Sequence, residues 1–169
     1  GTIRAYRQTA YLVESERPIT VEVGKQAQRL NCRSKKVEAV YSCIVTGFNA
    51  FSRLAAQKAN EAANRRLRDE LIERGFDPLP ASGRSTTGDW PAEPGFFISR
   101  ASLGDVDELL VRYRQHAAVV IDPKGFASLR FHPDHRRSSY IYVVRLKDAV
   151  AARRFFAREN AGRRDDKPC

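Results

Sequence analysis

Two short runs constrain this chain most. AVYSCIV at residues 39–45 and AAVVI at 117–121 are apolar at nearly every position and carry β-forming side chains. A strand apolar on both faces has to be covered on both, so these two belong at the centre of a sheet with material packed on each side. Further apolar runs at 10–13, 19–23, 95–99 and 126–131 read as additional strands. Turn-forming sequence separates them: ESERP at 14–18 divides the first two, and Asp122 to Gly125 forms a reverse turn preset by Pro123.

Between the two central strands the period changes from two to 3.6. Residues 53–74 read as a helix in which Leu67 and Leu71, four apart, mark the buried side. Ala55, Ala59, Ala62 and Ala63 permit close approach, Ser52 stands at the expected N-cap, and Gly75 is placed to end the helix. A second helix is predicted over 103–115, capped by Ser102, with Asp105 and Asp107 in its first turn. Its apolar face is Val106, Leu109, Leu110 and Tyr113. Residues 24–31 suit a short helix, 32–38 a basic connector, and 82–95 a loop or bent hairpin. The pattern predicts an α+β fold, a mostly antiparallel sheet with two principal helices packed on it. A C-terminal strand–helix extension follows, which divides the chain into a domain at 1–131, a basic linker at 132–139 and the extension at 140–169.

The 169 residues are 42% hydrophobic, enough for a real core, and carry a formal net charge of +10. Most of the cations are Arg, whose planar fork of donors suits phosphate. Such a charge attracts nucleic acid or an anionic surface, although it also serves solubility alone. Cys32, Cys43 and Cys169 are odd in number and widely spaced, which argues against a disulfide scaffold and a structural zinc site. No apolar run has the length of a membrane span and no signal-type segment opens the chain, so a soluble, cytoplasmic protein is expected.

The candidate site residues lie mostly between the two central strands. Asn60 and Asn64 share a helical face, although Asn is a poor interior helix residue. With Asn49, Ser52, Arg84, Glu93 and Gln115 they form a polar set that offers donors and acceptors to a small polar ligand, with Arg84 suited to a phosphate. The same residues would equally serve to cap helices and satisfy loop backbone. Trp90 is either a stacking platform or a plug of its loop. His132 and His135 have HxxH spacing but lack a third ligand nearby, so no metal or cofactor is expected. His116 is suited to a helix end, or to acid–base work with Glu93. Arg136, Arg137, Arg153, Arg154 and Arg158 are the cations least offset by neighbouring acids and the best candidates for nucleic-acid contact.

The segments YRQTAYLVE, TGFNAFS, NEAANRRL, GDWPAEPGFF and YRQHAAVV, in that order, resemble an uncharacterised bacterial family, a domain of unknown function, over residues 6–131. The resemblance brings no activity, but it matches recurrent polar positions at Asn49, Ser52, Asn60, Asn64, Glu93 and Gln115. Gly47 and Phe48 depart from the more apolar aromatic pair expected there. The tail, SSYIYVVRLKDAV followed by FFARENAGRRDDKPC, resembles the opening of a GIY-YIG-type nuclease domain, with Tyr140 and Tyr142 on the first strand. The chain stops before the catalytic parts of such a domain, so this likeness implies no cleavage.

Three readings follow. The first is a nucleic-acid-associated binding protein without catalysis, with DNA or RNA as partner. The second is an enzyme or sensor that takes a small polar or nucleotide-like ligand in an Asn/Glu/Gln cleft. The third is an interaction module or inhibitor docking on an acidic protein.

Overall fold

A computed structural model describes residues 2–27, 40–88 and 91–138 of the chain. Its elements, in order, are α1 (Thr2–Arg7), β1 (Thr9–Val13), β2 (Ile19–Glu22), β3 (Tyr41–Val45), a 3-10 turn (Ala50–Ser52) and α2 (Gln57–Glu73). They continue with β4 (Leu79–Ser85), β5 (Glu93–Ala101), α3 (Leu103–Arg112), β6 (Ala117–Ile121), β7 (Ala127–Phe131) and α4 (Pro133–Ser138). The fold is α+β, as the sequence pattern predicts.

The seven strands form one sheet in the order β2-β1-β4-β5-β3-β6-β7, and every neighbouring pair is antiparallel. The two mostly apolar runs, β3 and β6, are adjacent inner strands, with Cys43 opposite Val120 and Ile44 opposite Val119. The sheet curls until its two ends meet. Just past β2, Gly24 N donates to Ala127 O (2.9 Å), Ala127 N to Lys25 O (3.0 Å), and Ala27 N to Gly125 O (2.7 Å). The side chain of Gln26 reaches Lys124 O at 3.0 Å across 98 positions of sequence. Residues 24–27 are therefore a seam to β7 and not the helix that their composition suggests. The backbone donors there are satisfied by a non-local partner that composition does not reveal.

The curl separates two apolar layers. Inside it lie Tyr11, Val13, Val21, Ile44, Ala81, Phe97, Val119, Leu129 and Phe131, drawn from all seven strands. Outside, Cys43, Val45, Ile98 and Val120 pack against Leu67 and Leu71 of α2 and Val106, Leu109 and Leu110 of α3. Alternation along β3 and β6 sends successive side chains to opposite layers, which is why both strands are apolar at nearly every position. α3 opens with a complete capping box: Ser102 Oγ accepts from Asp105 N (3.0 Å), and Asp105 Oδ2 accepts from Ser102 N (2.8 Å). Tyr113 Oη donates to Glu70 Oε2 (2.8 Å), and Glu70 also pairs with Arg74 and Arg112, which ties the two helices together.

Several boundaries differ from the sequence reading. α2 begins at Gln57 instead of 53, because Ser52 sits in a left-handed turn (φ 57°) and caps nothing. Residues 79–85, read partly as loop, are a full strand paired on both sides, by β1 and β5. The linker-like stretch after 132 forms α4, and α1 carries no pattern that announced it.

Candidate ligand-binding site

The site begins with the way β3 leaves the sheet. Between Val45 and α2 the chain passes through Thr46, Gly47, Phe48 and Asn49, and almost every polar group there is held by a neighbour. Thr46 Oγ1 donates to Pro94 O (2.7 Å) and accepts from Phe48 N (3.0 Å). Gly47 N donates to Asn64 Oδ1 (2.8 Å), and Asn64 Nδ2 to Pro94 O (3.1 Å). Asn49 N donates to Asn60 Oδ1 (2.8 Å), while Asn49 Oδ1 accepts from Asn60 Nδ2 (2.9 Å) and Ala55 N (3.1 Å). The Asn pair on one helical face thus replaces the secondary-structure bonds that this loop lacks.

Two glycines make the approach possible. A Cβ on Gly47 would stand 3.0 Å from the backbone of Ala63 in α2, and one on Gly95 would run into the carbonyl of Val45. Beyond Asn49 the backbone is strained: Asn49 (φ 47°), Phe51 (φ 50°) and Ser52 (φ 57°) are all left-handed, as is Arg114 (φ 52°), whose carbonyl accepts from Phe51 N at 2.6 Å. Each such residue costs on the order of 1 kcal/mol or more and persists only where its surroundings over-determine it. Strain of this kind concentrates at ligand sites.

Beside this loop, within the curl, lies a cavity of about 440 Å³. Ile44, Ala81, Ala117 and Val119 provide apolar lining, Tyr6 of α1 and Tyr11 of β1 add phenols, and Asn49, Ser52, Ser85, Thr87, Glu93 and Gln115 are polar. Space exists because the inward positions of β4 are small: Ala81, Gly83 and Ser85 alternate along one face, and the ring of Tyr11 lies against Gly83. Asn49 Nδ2 donates to Glu93 Oε1 (2.6 Å), and Tyr6 Oη donates to Ala117 O (3.3 Å). Gln115 Nε2 donates to Phe48 O (2.8 Å) and Tyr113 O (3.2 Å). Burial, reinforced by the charge of Glu93, pushes the Tyr6 phenol up to about 12. The Tyr11 phenol moves in the same direction, again chiefly through burial.

Of the polar set expected from sequence, the structure brings Asn49, Ser52, Glu93 and Gln115 to this cavity. Asn60 and Asn64 are buried behind the loop and hold it, rather than lining the cavity. Arg84 is exposed and falls between the inward residues of β4, so it is not part of the lining. Trp90 lies outside the described residues, as do Arg153, Arg154, Arg158 and the strand–helix extension; Arg136 and Arg137 belong to α4. Sequence reasoning missed Tyr6, Tyr11, Ser85 and Thr87. The signal for Ser85 was the small–x–small–x–small pattern at 81–85, which reads as an inward strand face only once 79–85 is assigned to a strand.

All three histidines meet elsewhere, around Phe51. His116 Nδ1 and His135 Nδ1 are 3.4 Å apart, and the rings of His132 and His135 are 5.3 Å apart. His116 does not line the cavity that holds Glu93. Among the described residues no group of three or more His, Cys, Asp or Glu side chains is placed to hold a metal ion, and no helix is long and apolar enough to cross a membrane.

Residues 45–118 match the family model described as Protein of unknown function (DUF3293). The resemblance to an uncharacterised domain is thus shown over that span, which is narrower than the 6–131 read from the motifs. The matched span runs from the end of β3 to the start of β6 and contains the strained loop, α2, Glu93 and Gln115. It does not contain Tyr6 and Tyr11, which complete the cavity from outside it. The likeness of the tail to a GIY-YIG-type nuclease is not shown by this match and falls on residues outside those described. No curated protein and no solved structure matches the chain.

Proposed function

We propose that the protein binds a small molecule in the curl of its sheet. The observation that carries this is the cavity itself, about 440 Å³, with apolar walls and Asn49, Glu93 and Gln115 converging on it. Its size lies within the usual range for ligand pockets, and mostly apolar lining with a few fixed polar groups is their common composition. The strained loop at residues 49–52, which lines the cavity through Asn49 and Ser52, supports the same reading, because such strain concentrates at ligand sites.

The experiment is a fragment screen by methyl-resolved NMR on the full chain, repeated with Ser85→Phe. Ser85 faces the cavity and, among the described residues, its hydroxyl is bonded to Thr87 alone, so the larger ring plugs the space without breaking the sheet. The reading expects fragments that shift the methyls of Ile44 and Val119 in the natural chain and fail to do so in S85F. Shifts that survive the plug, or no shifts at all, would overturn it.

The competing reading, nucleic-acid binding, draws on the net charge of +10. It predicts affinity for DNA or RNA that falls steeply between low and moderate salt, about tenfold or more for several phosphate contacts.

A further inference from the structure

Among the described residues, one polar atom of the pocket lining has no hydrogen-bond donor. Gln115 is only 8% exposed, and its Nε2 is committed to Phe48 O and Tyr113 O. Reversing the amide would set its oxygen against those two carbonyls, so the network fixes the orientation. Its Oε1 therefore faces away from both carbonyls and has no hydrogen-bond donor among the described residues, while the side chain lines the cavity. A buried acceptor left bare is costly, and native structures keep very few of them without a reason.

A second acceptor, Glu93, lines the same cavity. Gln115 is bonded to the carbonyl of Phe48, and Glu93 to the side chain of the next residue, Asn49. A carboxylate has about four lone-pair positions and can accept from several donors at once, so the bond from Asn49 and the other interactions of Glu93 do not bar a ligand N–H. The charge of Glu93 is felt inside the curl, where it helps push up the phenols of Tyr6 and Tyr11. Arg4, the cationic residue of the lining, is exposed. The interior thus presents two acceptors, one of them anionic, beside two aromatic rings that favour a cation.

We propose that the ligand carries a nitrogen head group with at least two N–H bonds, an ammonium or amidinium, on an apolar or aromatic body. One N–H donates to Gln115 Oε1 and another to the Glu93 carboxylate, while the body lies on Ile44, Ala81, Ala117 and Val119. This assignment rests on the small-molecule reading above and narrows it to one chemical class.

The test uses the full chain and four probes of similar size: benzamidine, benzyltrimethylammonium, benzyl alcohol and benzoate. Affinities come from calorimetry and the place of binding from the methyl signals of Ile44 and Val119. Benzamidine is expected to bind at least about tenfold more tightly than the other three, because only it has both the charge and the N–H donors. Glu93→Gln, which keeps an oxygen for Asn49 to donate to, is expected to weaken benzamidine by about tenfold or more. Benzyltrimethylammonium binding as tightly as benzamidine would overturn the N–H requirement even if E93Q failed to fold. Benzyl alcohol or benzoate binding as well as benzamidine, at the same methyls, would sink the head-group assignment and leave the pocket standing. Silence from all four probes at those methyls would remove both.

Discussion

Asn49 and Asn60 exchange two hydrogen bonds: the backbone N–H of Asn49 donates to Asn60 Oδ1 at 2.8 Å, and Asn60 Nδ2 returns to Asn49 Oδ1 at 2.9 Å. Both residues are buried, and between them they connect α2 to the loop that borders the cavity. The position of Glu93 depends on this pair, since its carboxylate accepts from Asn49.

Asn60→Leu therefore leaves a buried N–H and a buried amide oxygen short of partners. It is expected to destabilise the fold by about 1–3 kcal/mol per stranded group, read as a lower urea midpoint with an unchanged slope. Ligand affinity should fall with it, because the loop loses its brace. A midpoint equal to that of the natural chain would show that the pair holds nothing.

α2 is docked by few apolar side chains, with Leu67 and Leu71 fully buried and Ile72 half exposed. Leu67→Ala is expected to cost about 2–5 kcal/mol, whereas Ile72→Ala should stay near the half-kilocalorie scale of surface changes. Comparing the two by chemical denaturation checks that the helix is held by its inner face.

Two Gly→Ala substitutions should have opposite signs. At Gly95 the new methyl meets the Val45 carbonyl, so Gly95→Ala should destabilise by more than 1 kcal/mol and disturb the β3–β5 pairing. At Gly104, in the first turn of α3, the nearest atom is Ser102 Oγ at 3.5 Å. Gly104→Ala should therefore stabilise, by about 0.4–1 kcal/mol. Melting temperatures of the two variants decide the matter.

Alkaline pH should unfold the protein in a defined order. Burial, with a smaller push from Asp105, raises the Cys43 thiol from 9.0 to about 12, and burial raises the Tyr6 phenol from 10.0 to about 12. Both groups are neutral when protonated, and the folded state holds those protons more tightly than the unfolded chain. Their contribution is complete below pH 9 and is lost as pH climbs toward 12, at about 1.4 kcal/mol per pH unit for each group titrating. Melting temperature should be flat to about pH 9 and then fall, and Cys43→Ala should move the onset to about pH 10. An onset that C43A does not move would contradict the assignment of the first step to the thiol.

Much of the fold was legible because its signals are local. The two continuous apolar runs became adjacent inner strands, Leu67 and Leu71 marked the buried face of α2, and the Ser102 and Asp105 box is visible as letters. What failed depends on partners distant in sequence. Residues 24–27 are not helical because their backbone is bonded to residues 125–127, and Ser52 caps nothing because Phe51 is drawn to the Arg114 carbonyl. The polar set was identified by residue type, which does not distinguish Asn49, facing the cavity, from Asn60, one hydrogen bond behind it. Tyr6 and Tyr11 could not be found from the central segment at all, because they lie on α1 and β1, outside it in sequence, and β1 reaches the site only by pairing with β4.

The seam between residues 24–27 and 125–127 has a kinetic consequence. Closing a chain loop of roughly a hundred residues costs about 2 kcal/mol more in entropy than closing one of ten. The hairpins of the sheet can assemble before that encounter, but the curl cannot. During synthesis, the curl therefore stays open until β7 has emerged and met the residues that follow β2.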